Sequence, residues 1–395
     1  MSSVKPSLGS TKTRMTGLPA AIDRLTEWHI RQVLPLWASA GVDERGGFFE
    51  SLDFDGRPVA GQQRRVRVQC RQIHAFTDAA LRGWLAAGEA IAARGFARLL
   101  ETACPDDGAR GCVHALHDDG RVADRLRDLY DQAFLLLACA ARIRATNDPV
   151  ARGLADRTLA FLDREFASPH GGYRENDRGG LPRRQNPHMH LFEALTALYE
   201  ATGETAYLER AGALDNLLRT RFIDRDKRAL REYFNDDWSL IDRVSDAIEP
   251  GHMAEWAFLL DRWARRSGAD RADEIRMLAN AAANFIAPED APFLPGRALL
   301  GRPTQRAARR LWPQTERLRA LLVLARDGDA GAAAAAARLI DALFQTYFSP
   351  PTLGLWCDEF DAEGARIAKD VPASILYHIH EAVCCAADSA DMIAA

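Results

Sequence analysis

Four prolines, Pro187, Pro250, Pro313 and Pro372, stand 63, 63 and 59 residues apart, and each is followed within six residues by a histidine or carboxylate: His190, His252, Glu316 and His378. A chain marked at so even an interval is built from like modules, which limits it to repeat architectures. Because proline is best tolerated at the first position of a helix, each mark predicts a helix start with a polar side chain in its opening turns. Followed backwards, the same phase reaches Tyr130 and Arg71, with steps of 59, 60, 62, 64 and 62 from Arg71 to His378. A second series keeps step with the first. Clusters of glycine, aromatic and acidic residues recur at Gly46–Glu50, Gly111–His114, Gly171–Glu175, Leu230–Tyr233 and Leu353–Trp356, with a degenerate copy near Gly296. Several run on into turn chemistry such as Asp53-Phe54-Asp55-Gly56, which suits short hairpins between helices.

A unit of about 60 residues holds two helices of roughly 12 to 17 residues and two connections. Six units then give six helical hairpins. These can stack as an open solenoid, but polar marks at one phase of every unit converge only if the array closes around a common centre. The expected fold is all-α, an (α/α)6 barrel of six helical hairpins forming a single catalytic domain over residues 19–395, after a flexible N-terminal tail at 1–18. Apolar residues at helical spacing, Phe192, Leu195, Leu198 and Tyr199, then Trp256, Leu259, Leu260 and Trp263, supply the buried helices. Segments such as Asp270 to Phe285 mix Arg and Glu with Ala and Leu, as solvated outer helices should.

Lysine and arginine total 51 against 55 aspartates and glutamates, with the two signs interspersed, so no face is prepared for nucleic acid or an anionic membrane. The longest apolar stretch, near Ala133 to Ala141, is far too short to cross a bilayer. Seven cysteines are odd in number and lack metal-ligand spacing, which suits reduced, buried thiols and a cytoplasmic location.

The run Glu249-Pro250-Gly251-His252 puts an imidazole in the first turn of a helix, where the dipole disfavours imidazolium and favours a neutral base. Glu255, three residues on, is a candidate catalytic residue, close enough to hold that ring by a hydrogen bond or to take part in proton traffic. In Asn186-Pro187-His188-Met189-His190 the H-x-H spacing invites a metal assignment, but residues two apart on a helix point to nearly opposite sides. No metal is therefore expected there, or at His378 and His380, and His190 with Glu193 is the inward pair. Arg71 is the arginine placed to bind hydroxyls and steady an oxyanion, whereas Arg65 is expected in an ion pair. Trp312, Gln314, Glu316 and Asp358 bring an aromatic face and polar groups to the same mouth, the division of labour a sugar requires. Each residue alone reads equally as core tryptophan, capping histidine or surface ion pair; their shared phase argues for a site.

Taken together, Gln69-Cys70-Arg71-Gln72, Asn186 through Glu193, Pro250-Gly251-His252 with Glu255, Trp312-Pro313-Gln314 with Glu316, and Tyr377-His378 resemble the N-acylglucosamine 2-epimerase superfamily over nearly all of the chain after the tail. The resemblance implies the same barrel fold and proton transfer through an enediol or enediolate of a ring-opened monosaccharide. It implies His252 and His378 as acid and base, and Arg71 at the oxygen that gains charge. His190, Glu193, Glu255 and Glu316 would orient sugar and histidines, with Asn186, Tyr130, Trp312, Gln314 and Asp358 completing substrate binding. No cofactor is implied, and a homodimer is suggested.

Within that resemblance, Glu255-Trp256 and the Ser374–His378 ending are similar to the mannose isomerase branch, so D-mannose to D-fructose interconversion is the expected reaction. A bulky Trp256 would also restrict a 2-acetamido group. The alternatives are N-acylglucosamine 2-epimerase or another sugar 2-epimerase, then a glycoside hydrolase using Glu249, Glu255 and Glu316, and a non-catalytic sugar-binding protein.

Overall fold

A computed structural model describes residues 17–393, and residues 1–16 of the expected tail lie outside that range. The first rod begins at Leu18, the last residue assigned to the tail, which is itself buried. It comprises α1 (Leu18–Trp28), a π-helical turn (His29–Val33) and α2 (Leu34–Ala40). There follow α3 (Val66–Leu81), α4 (Gly88–Ala103), α5 (Leu129–Thr146), α6 (Pro149–Phe161), α7 (Gln185–Thr202) and α8 (Thr205–Leu217). The chain then forms α9 (Pro250–Ser267), α10 (Ala272–Ala283), α11 (Leu311–Arg326), α12 (Ala330–Thr346) and α13 (Ser374–Ile393). The odd-numbered helices from α3 pack side by side in chain order, and α13 returns to α3. The array is therefore a closed (α/α)6 barrel with α1–α2, α4, α6, α8, α10 and α12 outside.

Sequence explains which helices go in. In α5 every residue from Asp131 to Ile143 is buried, so the helix is apolar on all sides and needs neighbours all round. Phe134, Leu135, Leu136 and Leu137 each contribute about 1.5–3 kcal/mol by burial. A charge in place of Leu136 would have no partner there. Outer α10 buries only Ile275, Leu278, Ala281 and Ala282, a single stripe. The turn from α7 to α8 is closed by Gly203 in the left-handed region (φ 75°), with its N–H donating to the Tyr199 carbonyl.

The links that run from outer to inner helices are longer and carry the glycine–aromatic–acidic clusters, each pinned by two-residue antiparallel strands. Arg64–Arg65 pairs with Ala115–Leu116, Arg183–Arg184 with Tyr233–Phe234, and Arg309–Arg310 with Glu359–Phe360. These three arginine doublets recur at twice the hairpin interval and share one design. The first arginine is held by aspartate: Arg64 by Asp43 and Asp118, Arg183 by Asp236, Arg309 by Asp290. The second stands immediately before an inner helix and takes a carboxylate: Arg65 with Glu50, as expected, Arg184 with Glu175, and Arg310 with Asp358. The seven cysteines are all free and buried, and no helix among the described residues is long and apolar enough to cross a membrane.

Candidate active site

The N-terminal ends of all six inner helices surround one cavity of ≈ 180 Å³. Unpaired N–H groups and aligned peptide dipoles make that end of the barrel favourable to developing negative charge. The cavity is lined by Arg71 from α3, Tyr130 from α5, Asn186 and His190 from α7, His252 and Glu255 from α9, Trp312 from α11 and His378 from α13. Arg65, Arg67, Glu249 and Arg310 also line it. A larger cavity of ≈ 560 Å³ beside the 295–307 loop contains none of the predicted residues.

His252 and His378 both pack on the Trp312 indole, whose ring centroid lies 4.9 Å from the first imidazole and 5.8 Å from the second. Each Nδ1 is fixed by a carboxylate, which leaves each Nε2 for the cavity. For His378 the carboxylate is Glu316 (2.7 Å), as the resemblance implied. For His252 it is not Glu255. Glu232, from the hairpin between α8 and α9, has both carboxylate oxygens 3.0 Å from His252 Nδ1. Burial alone would lower the His252 pKa, but Glu232 overrides it and the ring is pushed up to about 9. This reverses the neutral state expected from the helix dipole, because a buried carboxylate in contact outweighs partial charges of one helix end. His378 goes the other way, held well below the ordinary range by burial and by the Arg71 charge.

The repeat explains why Glu232 is free to do this. It occupies the acidic position of its loop cluster, like Glu50 and Glu175. Those two accept from the N–H groups of Arg65 and Arg184 and pair with the same residues' guanidiniums. Before α9 the equivalent residue is Glu249, so no guanidinium claims Glu232, and the imidazole takes it instead.

Among the described residues, Arg71 carries its charge without a carboxylate. Its Nη2 donates to Tyr130 Oη at 2.8 Å, its Nε is buried without a partner, and the guanidinium lies 4.2 Å from the Phe134 ring and 5.1 Å from that of Tyr377. Aromatic faces hold the cation in place without neutralising it. Asn186 Oδ1 and Glu255 Oε1 are also buried without partners, so the cavity wall presents one free cation, one amide oxygen and one carboxyl to a polar guest. Burial and the Glu316 charge raise Glu255 well above the usual carboxylate range, so it holds a proton it can donate. His190, held by Glu193 at 3.0 Å, is lowered by burial to about 4 and stays neutral.

Several predicted residues act away from the cavity. Gln314 is wholly buried, and its amide accepts from Leu294 N and donates to the Leu294 carbonyl. Gln69 and Gln132, one turn into α3 and α5, clamp Phe48 and Cys112 in the same way. Gln314 is thus a loop clamp repeated from unit to unit and not a sugar ligand. Asp358 is committed to Arg310 (2.9 Å), Glu193 to His190 and the Tyr377 hydroxyl, and Glu316 to His378 and Arg319. Trp256 is fully buried against Phe192, with Nε1 donating to Gln185 Oε1, so it does not limit the cavity. His188 points away from His190, accepting from Tyr173 N.

Two groups bring three potential metal donors within 4.8 Å of one another: Glu255, Glu316 and His378, and Asp78, His380 and Cys384. In the first, Arg319 already donates to Glu316 at 2.7 Å; in the second, Arg82 donates to Asp78 at 2.7 Å and Arg144 also pairs with it. These guanidiniums supply the positive charge that a divalent ion would otherwise bring, so neither group is a good fit for one.

Residues 47–382 match the family described as N-acylglucosamine 2-epimerase (GlcNAc 2-epimerase). A mannose-6-phosphate isomerase of Rhizobium meliloti (strain 1021) is 35% identical over 374 residues, covering 90% of this chain and 94% of that protein. A D-mannose isomerase of Thermobifida fusca is 32% identical over 58% of this chain and 59% of its own length. Among solved structures, cellobiose 2-epimerase from Spirochaeta thermophila DSM 6192 superposes with a TM-score of 0.85 at 24% identity, over 98% of this chain and 100% of that one.

Proposed function

The chain belongs to the N-acylglucosamine 2-epimerase family as a sugar isomerase or epimerase, and from that premise we propose that it interconverts D-mannose and D-fructose without a metal or other cofactor. The single observation that carries this reading is the placement of two carboxylate-held imidazoles on one monosaccharide-sized cavity. Their surroundings push the pKa values of the two rings apart, His378 well below the ordinary range by burial and Arg71, and His252 up to about 9 by Glu232 against its burial.

With Glu316 ionised, His378 Nδ1–H donates to it, and the Nε2 lone pair takes the proton from C2 of the open-chain aldose. The C2–H electrons form the C1=C2 bond, and the carbonyl electrons move onto O1, which His252 protonates from Nε2. Arg71 and the six helix ends steady the charge on oxygen as it grows, which is the largest barrier in removing a proton beside a carbonyl. The O2 proton then passes to His252, the C2=O bond forms, and His378 returns its proton to C1. Each imidazole ends as it began.

Return of a proton to the opposite face of C2 would give the epimer. A neutral base that both takes and returns the proton on one face favours the ketose. Proton NMR of D-mannose with the enzyme in deuterated water tests this: fructose with deuterium at C1 supports it, and glucose with deuterium at C2 replaces it with epimerisation. A second reading, mannose 6-phosphate as substrate, is favoured by Arg65, Arg67 and Arg310 lining the cavity. Each of these already pairs with a carboxylate, Glu50, Asp131 and Asp358 respectively, so the neutral sugar is preferred. A kcat/KM at least tenfold higher for the phosphorylated sugar would reverse that preference.

A further inference from the structure

A file of buried charges runs along the barrel from the proposed base to the far end. Glu316 touches His378 with Oε1 (2.7 Å) and receives Arg319 Nη1 on Oε2 (2.7 Å). The other terminal nitrogen of Arg319, Nη2, donates to Glu381 Oε2 at 3.3 Å, and Glu381 Oε1 lies 2.7 Å from His74 Nε2. Glu316 and Arg319 have no exposed side-chain surface. The Phe258 ring covers the guanidinium at 3.7 Å. His74 ends the file on a second cavity, of ≈ 270 Å³, where the C-terminal ends of the inner helices meet.

The charges in this file do not balance without a proton. Two carboxylates share one guanidinium, and in a dry interior the surplus negative charge draws a proton to one end or the other. At one end is the His74 imidazole, whose contact with Glu381 holds that carboxylate low. At the other is the Glu316–His378 pair, which can take the proton and titrates as a unit. We propose that Arg319, Glu381 and His74 set the proton occupancy of the Glu316–His378 pair from the opposite end of the barrel, with Glu381 and His74 as positioning residues. The proposal rests on His378 being the base, and it names what holds that base ready.

Other charged groups face the pair from every side: Arg71 on α3, the Tyr130 hydroxyl on α5, His190 and Glu193 on α7, His252 and Glu255 on α9, and Tyr377 on α13. Around Glu381 stand Arg262 on α9 and Arg319 on α11. Glu381 also acts on Glu193, Tyr377 and Arg262, so a change there reaches the pair through these groups as well as through Arg319. The signs are opposite. Glu381→Gln removes negative charge, and the pair gives up its proton at lower pH. His74→Gln removes the alternative proton carrier, and the pair keeps its proton to higher pH.

The test is a ¹⁵N NMR titration of the His378 imidazole in the full chain labelled at histidine, with His378→Asn used for assignment. It needs no substrate, so failed turnover with correctly shifted midpoints would sink the isomerase reading and leave this one standing. Glu381→Gln is expected to lower the midpoint and His74→Gln to raise it, each by about one pH unit. Glu381→Asp, which keeps the charge, should titrate near wild type. Midpoints that stay put, or that move the same way in both variants, overturn the proposal. Should Glu381→Gln fail to fold, His74→Gln at the cavity edge decides the matter by the sign of its shift.

Discussion

Glu232 reaches His252 from 20 residues earlier in the chain and sets both carboxylate oxygens 3.0 Å from its Nδ1. This contact holds the ring's pKa up, so that the proposed acid carries its proton at neutral pH. Because the folded pKa of about 9 lies above the ordinary histidine value, the contact stabilises fully below about pH 6.5 and is lost as pH rises through about 9. Glu232→Gln should pull the alkaline limb of the pH–rate profile down by more than one pH unit. It should lower kcat at pH 8 about 10²-fold and flatten the fall of Tm between pH 7 and 9. An unmoved alkaline limb would falsify the assignment of His252 as the acid.

Arg71 is the cation on the cavity that no carboxylate claims among the described residues, so its loss should fall on the transition state more than on sugar binding. Arg71→Met is expected to reduce kcat by about 10²- to 10³-fold with a smaller change in KM. Arg71→Lys should recover little of this, since a point charge cannot keep the Tyr130 contact and the aromatic stacking together. Steady-state kinetics on both variants separate the two effects. A pure KM change would assign Arg71 to binding alone.

Gly251 is needed for space. A Cβ there would lie 2.6 Å from the Trp312 ring, against which both imidazoles pack. Gly251→Ala should displace the indole, cost about 1–3 kcal/mol of stability, and raise KM. Thermal denaturation and KM measured together check this; normal values for both would mean that Trp312 moves without consequence.

Exhaustive dialysis against EDTA is expected to leave the rate within about twofold of the untreated enzyme, and added Mg²⁺, Mn²⁺, Co²⁺ or Zn²⁺ to restore nothing. The reason is the Arg319 contact on Glu316, which already supplies the positive charge a metal would bring to Glu255, Glu316 and His378. Loss of activity reversed by one of these ions would show that the carboxylates serve as ligands.

Much of the site was readable because it is carried by position within a repeat. Arg71, Tyr130, His190, His252, Glu316 and His378 all fall in the first two turns of inner helices, and all but Glu316 line the cavity. What misled was residue type without context. Gln314 has a side chain fit for hydroxyls, but its counterparts Gln69 and Gln132 reveal a loop clamp once their contacts are known. Glu255 sits three residues from His252, a spacing that suggests a pair, yet its Oε1 faces His190 Nε2 at 3.9 Å. Glu232 was visible in its cluster but had no marked role, since nothing local says that Glu249 replaces the arginine that would have claimed it.

The sequence by itself determined the modular period, the helix starts and the set of polar side chains brought to one end of a closed barrel, because these follow from local backbone preferences repeated six times. Only the tertiary structure decided which carboxylate meets which imidazole, and hence which histidine is charged. Those contacts join segments 20 to 62 residues apart in a dry interior, where one ion pair outweighs the local effect of a helix end.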